Sequence, residues 1–404
     1  MTTSRTVTAR ELDVPLIGYA EAIARVVAAF PALDPIRVSL AEALGTVLAQ
    51  DLVAGDDIPS FDNSAMDGYA VRSADLTAAS DGAPIPLTVA DESAQGVAVK
   101  VMTGFPIPDG ADAVVPWERT AALEDGSGID RIVIDTVVTA GTFVRPRGED
   151  VGQGDTVLRA GTFIGPVQVG MLAAVGATEV LVHPRPRVGV LSTGDELVGV
   201  DEAVGRGRVR DANGPLLTAL CTSLGGVVTA AVRTGDDPEA IGAALSELAS
   251  QADLVISSGG ASVGERDWLR SVLEEQGPLD FWRVALRPGK PVALGRRDGA
   301  PVIVLPGNPG SVIACTHVFV ARAIRCLAGR DAEPLAVVAE LTEGIAGDTQ
   351  RTVVHPVHLD GDRVRPAVGR SSQVLSNALG TDGWVIVPPG GVTAGTAVTV
   401  ELDT

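Results

Sequence analysis

The chain is short of lysine, histidine, cysteine and aromatic residues, and each shortage closes a route. Lysine occurs only at Lys100 and Lys290, so arginine carries nearly all of the positive charge. With a net charge of −20 over 404 residues, no basic stripe is available for a nucleic-acid surface. Any local cluster of positive charge is therefore informative. The three cysteines, Cys221, Cys315 and Cys326, lack metal-ligand spacing, and their odd count suits a reduced, cytoplasmic chain. His355 and His358 are close in sequence, but no further His or Cys completes a zinc set. No N-terminal apolar signal region stands out, no apolar run is expected to span a bilayer, and no membrane partner is expected. The glycine-rich segments match neither GxGxxG nor GxxxxGK[ST], which removes the standard dinucleotide and Walker readings.

What is present is alternation. After the proline-punctuated stretch 183–187, short apolar runs alternate with helical patterns. Val188–Leu191, Val227–Val232, Leu254–Ile256 and Val302–Leu305 read as strands, and Phe281–Leu286 and Val292–Leu294 as strands flanking Arg287-Pro-Gly-Lys290. Asn213–Leu224, Pro238–Ala249 behind an Asp237 cap, and a long segment to about Cys326 read as helices. The spacing predicts a mainly parallel sheet wound on both faces, in which the loops after the strands share one edge.

The polar residues fall on that edge. Asp253–Asp267 runs strand, glycine-serine loop (Ser257, Gly259, Gly260, Ser262, Gly264) and then Asp267. Thr193, Glu196, Asp236, Pro306, Asn308, Pro309 and Ser311 follow other strands, near Arg283, Arg287 and Lys290. Like charges so gathered cost energy unless a cation offsets them. Oxygen ligands without His or Cys suit Mg²⁺ shared with a substrate phosphate, and the cations suit an anionic substrate.

Elsewhere Tyr19–Phe30 and Ser39–Leu48 show helical spacing, the second behind a Ser39 cap. The segment 56–70, DDIPSFDNSAMDGYA, mixes turn residues with Phe61, Met66 and Tyr69, and its Asp67-Gly68 turn either aims a carboxylate outward or is an ordinary hairpin turn. From Ile85 to Val138 short runs split by Gly and Pro predict a β-rich domain, with the Thr103 hydroxyl at a strand end. Val144–Asp150, VRPRGED, is either a solvated exit or an anion site. Residues 330–404 return to short strands, a small barrel or sandwich. There Arg351 and Arg370-Ser371-Ser372 either reach an anion or are solvated.

Seven motifs run in one order: FDNSAMDGYA (61–70), MTG (102–104), RGED (147–150), STGDEL (192–197), SSGGASVGERD (257–267), RPGKP (287–291) and LPGNPGS (305–311). As an ordered set they resemble the MoeA family of molybdopterin molybdenumtransferases, similar to the E domains of gephyrin and of its plant counterpart. The resemblance implies a multidomain α/β chain. It consists of a discontinuous mixed domain (11–58 plus 147–182) used for dimerisation, an inserted β-rich domain (59–146), a MogA-like doubly wound domain (183–329) and a C-terminal β-barrel (330–404). It implies a homodimer that takes adenylylated molybdopterin and molybdate, hydrolyses the adenylate with Mg²⁺, and releases AMP and molybdenum cofactor. An adenylyltransferase would act before it and molybdoenzymes after it. It implies catalytic roles for Asp67, Thr103, Asp150, Glu196, Asp236 and Asp267, with Glu196 and Asp267 on the metal. It implies that Arg283, Arg287, Lys290, Ser311, Arg351 and Ser372 line the oxyanion pocket, shaped by Pro306 and Pro309. The neighbours Asp237 and Ser371 remain open for two of these roles. Arg283 and Arg287 stand where many members have lysine, which keeps charge but removes a titratable amine. Two other readings share the motifs: a MogA-like adenylyltransferase and a gephyrin-like scaffold.

Overall fold

The computed structural model describes residues 16–123, 130–259, 268–367 and 374–403. They form two compact units. One holds Leu181–Thr404 with Gly45–Ala49 and the N-terminal stretch through Arg37; the other holds Val38–Leu44 with Gln50–Val180. The helices in chain order are α1 (Tyr19–Ala29), α2 (Pro166–Ala174), α3 (Asn213–Ser223), α4 (Pro238–Ala249), α5 (Trp268–Glu274), α6 (Pro309–Cys315) and α7 (Ala321–Leu327).

The smaller unit is built on a six-stranded sheet of β1 (Gly68–Val71), β2 (Ile85–Ala90), β3 (Val97–Val101), β4 (Ala113–Pro116), β5 (Ala121–Ala122) and β6 (Arg131–Ile134). Their order is β4-β1-β3-β2-β6-β5. Val71, Leu76, Leu87, Ala98, Ala113, Val115, Ile132 and Ile134 fill its core. Gly68 opens β1 because a Cβ there would stand 2.2 Å from the Val115 carbonyl oxygen. The helical spacing of Ser39–Leu48 does not become a helix. Ser39 and Glu42 do bond reciprocally (Ser39 Oγ to Glu42 Oε2, 2.7 Å), but the turn stops at Glu42. Gly45 takes φ +82 and Val47–Leu48 is a strand.

In the larger unit, β7 (Arg187–Thr193), β8 (Val227–Thr234), β9 (Leu254–Ser258), β10 (Phe281–Trp282), β12 (Ala293–Arg297) and β13 (Ala300–Leu305) form a sheet, while β11 (Leu286–Arg287) leaves it. The order is β8-β7-β9-β13-β12-β10; the first four strands are parallel, β12 is antiparallel to β13, and β10 is antiparallel to β12. One face packs on α1, α3 and α6–α7 through Val26, Leu217, Ile256, Phe319 and Ile324. The other packs on α4 and α5 through Leu245, Leu248, Val255 and Leu269. Asp237 caps α4, accepting from Ala240 N at 2.9 Å, with Pro238 in the first turn.

The helical run Pro309–Leu327, continuous through a π turn at Thr316–Val320, has by length and composition alone the character of a membrane-crossing helix. It is instead 78% buried inside the chain. Its Arg322 is buried and paired with Glu333 and Glu401, both at 3.2 Å. A core helix of a wound sheet meets the same length and composition as a membrane span.

The C-terminal strands β14 (Ala336–Leu341), β15 (Thr352–Asp360), β16 (Arg363–Pro366), β17 (Gly383–Val387) and β18 (Ala397–Leu402) close into a five-stranded barrel, β15 pairing with both β16 and β17. Its core is Leu341, Val357, Val364, Val387 and Val400. β11 joins this barrel, pairing parallel to β15 with Leu286 opposite Thr352 and Arg287 opposite Val353.

Candidate functional site

Sequence reading places Thr193, Ser257 and Ser258 in loops. They are instead the last residues of β7 and β9, hydrogen-bonded in register at the carboxyl edge of the parallel strands. An extended apolar run can carry its polar end inside the strand, and the alternation gives no signal of where pairing stops. Thr193, Ser257 and Ser258 are buried.

Glycines set how closely the loops meet at this edge. Gly259 has φ +96, and a Cβ on it would lie 2.3 Å from the Thr193 carbonyl oxygen. A Cβ on Gly307 would stand 3.5 Å from Gly259 Cα, and Asn213 Nδ2 donates to Gly307 O at 2.8 Å. Pro309 begins α6, and Asn308 O accepts from Ser311 N at 2.9 Å. The Pro306–Asn308 turn thus abuts Gly259, just after β9, while Pro309 and Ser311 stand in the first turn of α6 rather than in the loop. Asp195 and Asp236 brace the neighbouring loops: Asp236 N donates to Asp195 Oδ1 at 3.0 Å. Glu196 is exposed and folds back over Gly194, where a Cβ would stand 2.7 Å from Glu196 Oε1. Gly260, Ser262, Gly264, Asp267 and Ser372 lie outside the described residues.

Five buried polar atoms at this edge have no hydrogen-bond partner among the described residues: Ser192 Oγ, Thr193 Oγ1, Asn213 Oδ1, Thr234 Oγ1 and Ser257 Oγ. Buried polar groups are normally satisfied, because each orphan retains its desolvation cost, so a cluster of them marks a place for a ligand or water. Ser192, Asn213 and Thr234 are not distinguished by the sequence; a polar side chain at a strand end or helix start is too common a signal.

The cationic side is assembled by the β11–β15 pairing. Thr352 N donates to Ala285 O at 3.0 Å, which draws Arg351 toward Arg287. Arg283, at φ 67, is 5% exposed and stands beside the Trp282 ring, 5.3 Å from its centroid. Burial, and then the charges of Arg283 and Arg351, hold the Lys290 ammonium below its usual range. Arg351 donates from Nη2 and Nε to Asp348 Oδ2 at 2.6 and 3.1 Å. Arg287 Nη1 lies 3.9 Å from the same oxygen. Of the two readings of Arg351, the geometry supports membership of a cation cluster with Arg283, Arg287 and Lys290. Asp348 is absent from the sequence reading; its signal is weak, a carboxylate three residues before an arginine.

In the smaller unit, Asp67 and Thr103 meet. Asp67 Oδ1 accepts from Thr103 N at 2.7 Å and from Thr103 Oγ1 at 2.8 Å, and these bonds hold its carboxyl below the usual range. Asp150 is exposed, its backbone N–H bonded to Ile58 O at 3.0 Å. The two arginines of VRPRGED are engaged locally. Arg145 Nε donates to Glu149 at 2.8 Å and Arg147 Nε to Asp57, which supports the solvated exit rather than the anion site.

Comparison with known proteins gives three matched regions. Residues 17–176 match the MoeA N-terminal region (domain I and II). Residues 189–325 match a probable molybdopterin binding domain, and residues 338–402 the MoeA C-terminal region (domain IV). Molybdopterin molybdenumtransferase 2 of Mycobacterium tuberculosis is 39% identical over 314 residues, covering 74% of this chain and 76% of that protein. The molybdopterin molybdenumtransferase of Haemophilus influenzae is 38% identical over 303 residues, 72% of this chain and 73% of that one. The crystal structure of the molybdopterin biosynthesis moeA protein from Pyrococcus horikoshii superposes with a TM-score of 0.80 at 30% identity. It covers 96% of this chain and 100% of that one. The chain belongs to the MoeA family of molybdopterin molybdenumtransferases, enzymes of molybdenum cofactor biosynthesis.

Proposed function

We propose that this enzyme takes adenylylated molybdopterin and molybdate, hydrolyses the adenylate and inserts molybdenum into the dithiolene. The observation that carries the reading is the row of buried groups from Ser192 to Ser257 with no hydrogen-bond partner among the described residues, in the same compact unit as the cation group of Arg283, Arg287, Lys290 and Arg351. Such a row offers neutral donors and acceptors to a pterin-nucleotide, and the cations offer charge to phosphate and molybdate. In the hydrolysis, water adds to phosphorus and the phosphoanhydride P–O bond breaks, releasing AMP. In the insertion, two Mo–S bonds form and one molybdate oxygen leaves as water with the two thiol protons.

Among the described residues, no set of three His, Cys, Asp or Glu side chains is placed to hold a metal ion. Mg²⁺ takes one or two carboxylates and completes its shell with water and substrate phosphate. Glu196, beside the Asp195–Asp236 brace, and Asp267 are the carboxylates that would hold it. When bound, the ion would offset phosphate charge as the anhydride breaks. In the same reading the chain works as a cytoplasmic homodimer between an adenylyltransferase and the molybdoenzymes.

The test is AMP release from adenylylated molybdopterin. Release that needs both molybdate and Mg²⁺ supports the proposal. Accumulation of adenylylated molybdopterin from molybdopterin and ATP would instead make the chain the preceding enzyme.

A further inference from the structure

Four cations converge where β11 meets β15, and one carboxylate lies among them. Asp348 sits on the loop between β14 and β15, and that loop is pinned. Gly390 N donates to Asp348 O at 2.9 Å. A Cβ on Gly347 would stand 2.2 Å from Gly391 N, and Ile345 bridges to Val392. The carboxylate is then fixed from both sides. Oδ1 accepts from Gln350 N and Arg351 N at 3.1 and 3.2 Å, and Oδ2 takes Nη2 and Nε of Arg351 at 2.6 and 3.1 Å. Arg287, from the strand that leaves the central sheet, brings Nη1 within 3.9 Å of that same oxygen.

Exposure is graded. The side chain of Asp348 is 13% exposed, that of Arg351 31% and that of Arg287 48%. The carboxylate is therefore the inner member and the two guanidinium groups the outer ones. It holds the Nε–Nη2 edge of Arg351 and leaves Nη1 with no hydrogen bond among the described residues. An ion pair that served only to cancel charge has no need of a pinned loop or of arms from two sheets. Without Asp348, Arg283, Arg287, Lys290 and Arg351 would repel one another, and long side chains in mutual repulsion spread into solvent.

We propose that Asp348 is a positioning residue for the transferase: it aims Arg287 and Arg351 as a two-armed clamp on the tetrahedral oxyanion substrate. This rests on the reaction proposed above. The test uses the full chain and Asp348→Asn, with steady-state AMP release titrated in molybdate and, separately, molybdate binding by isothermal titration calorimetry. Loss of a charge-assisted pair is expected to raise the KM and the Kd for molybdate about tenfold or more. At saturating molybdate, kcat is expected to stay within about twofold, the pattern of lost ground-state binding. Asp348→Glu should recover part of the loss. An unchanged Kd in a folded Asp348→Asn chain overturns the proposal, whatever the AMP assay shows. So does a loss of kcat with KM unchanged, which is the mark of a merely structural role. If Asp348→Asn does not fold, Arg351→Lys keeps the charge and removes the fork, and an unchanged Kd there overturns it equally. A wild-type chain that binds molybdate but releases no AMP would sink the reaction and leave the clamp standing.

Discussion

The carbonyl oxygen of Thr193 lies 2.3 Å from where a Cβ on Gly259 would be. The end of β7 and the loop after β9 therefore meet backbone to backbone, and the row of buried hydroxyls opens at that meeting. Gly259 serves here both for its positive φ and for its lack of a side chain.

Gly259→Ala is expected to lower stability by about 2 kcal/mol or more, since left-handed backbone strain adds to a backbone clash. Equilibrium urea unfolding checks the loss. Binding of a pterin-nucleotide should weaken more than stability alone explains, because the alanine pushes the two loops apart.

Asp67 is held below the usual carboxylate range by the backbone N–H of Thr103 and then by its hydroxyl. A depressed folded pKa contributes stability above the unfolded value of about 3.9, lost as pH falls through the folded pKa. A carbon-detected NMR titration should find the Asp67 carboxyl titrating below 3.8, its ordinary value. Thr103→Val removes one donor and should move that midpoint up. An unmoved midpoint would mean that the backbone bond alone sets it.

Glu401 is the keystone of a buried network. Its Oε2 lies 2.8 Å from His317 Nε2 and its Oε1 3.2 Å from Arg322 Nη2. Burial pushes its carboxyl up, but the His317 bond and the Arg322 charge outweigh that, and it rests below its usual range. Its contribution is thus present above the unfolded pKa of about 4.3 and lost as pH falls through the folded one. Glu401→Gln leaves Arg322 short of a partner in the core and should cost about 3 kcal/mol at pH 7. The difference from wild type should shrink toward acid, read by chemical denaturation at several pH values.

The thiols should be silent in the native chain. Burial pushes Cys221 up to about 12, and Cys315 is raised by the same cause. A thiol reagent at pH 8 is expected to react slowly before denaturant is added, and with all three cysteines after. Rapid native labelling of Cys221 would contradict its placement on the buried face of α3.

Much of the fold was legible because its signals are local. The Asp237 cap, the proline opening α4 and the runs that became β7, β8, β9 and β13 each depend on a few neighbouring residues. The failures are local signals overruled. Ser39–Leu48 has helical spacing, but Gly45 turns the backbone left-handed. Thr193 and Ser257 look like loop residues, but strand pairing runs through them.

By itself, the sequence determined the class of chemistry. Alternating apolar runs, an ordered set of glycine loops and the scarcity of His and Cys pointed to a wound sheet and an oxygen-rich loop edge. Only the tertiary structure decided which residues share the site. Arg287 and Arg351 are far apart in the chain and become neighbours because β11 leaves one sheet to pair with β15 of another. Asp348 becomes their common partner for the same reason. Periodicity reports what a residue does to its own helix or strand. Which strands pair across sheets depends on packing of the whole unit, and no short stretch encodes that.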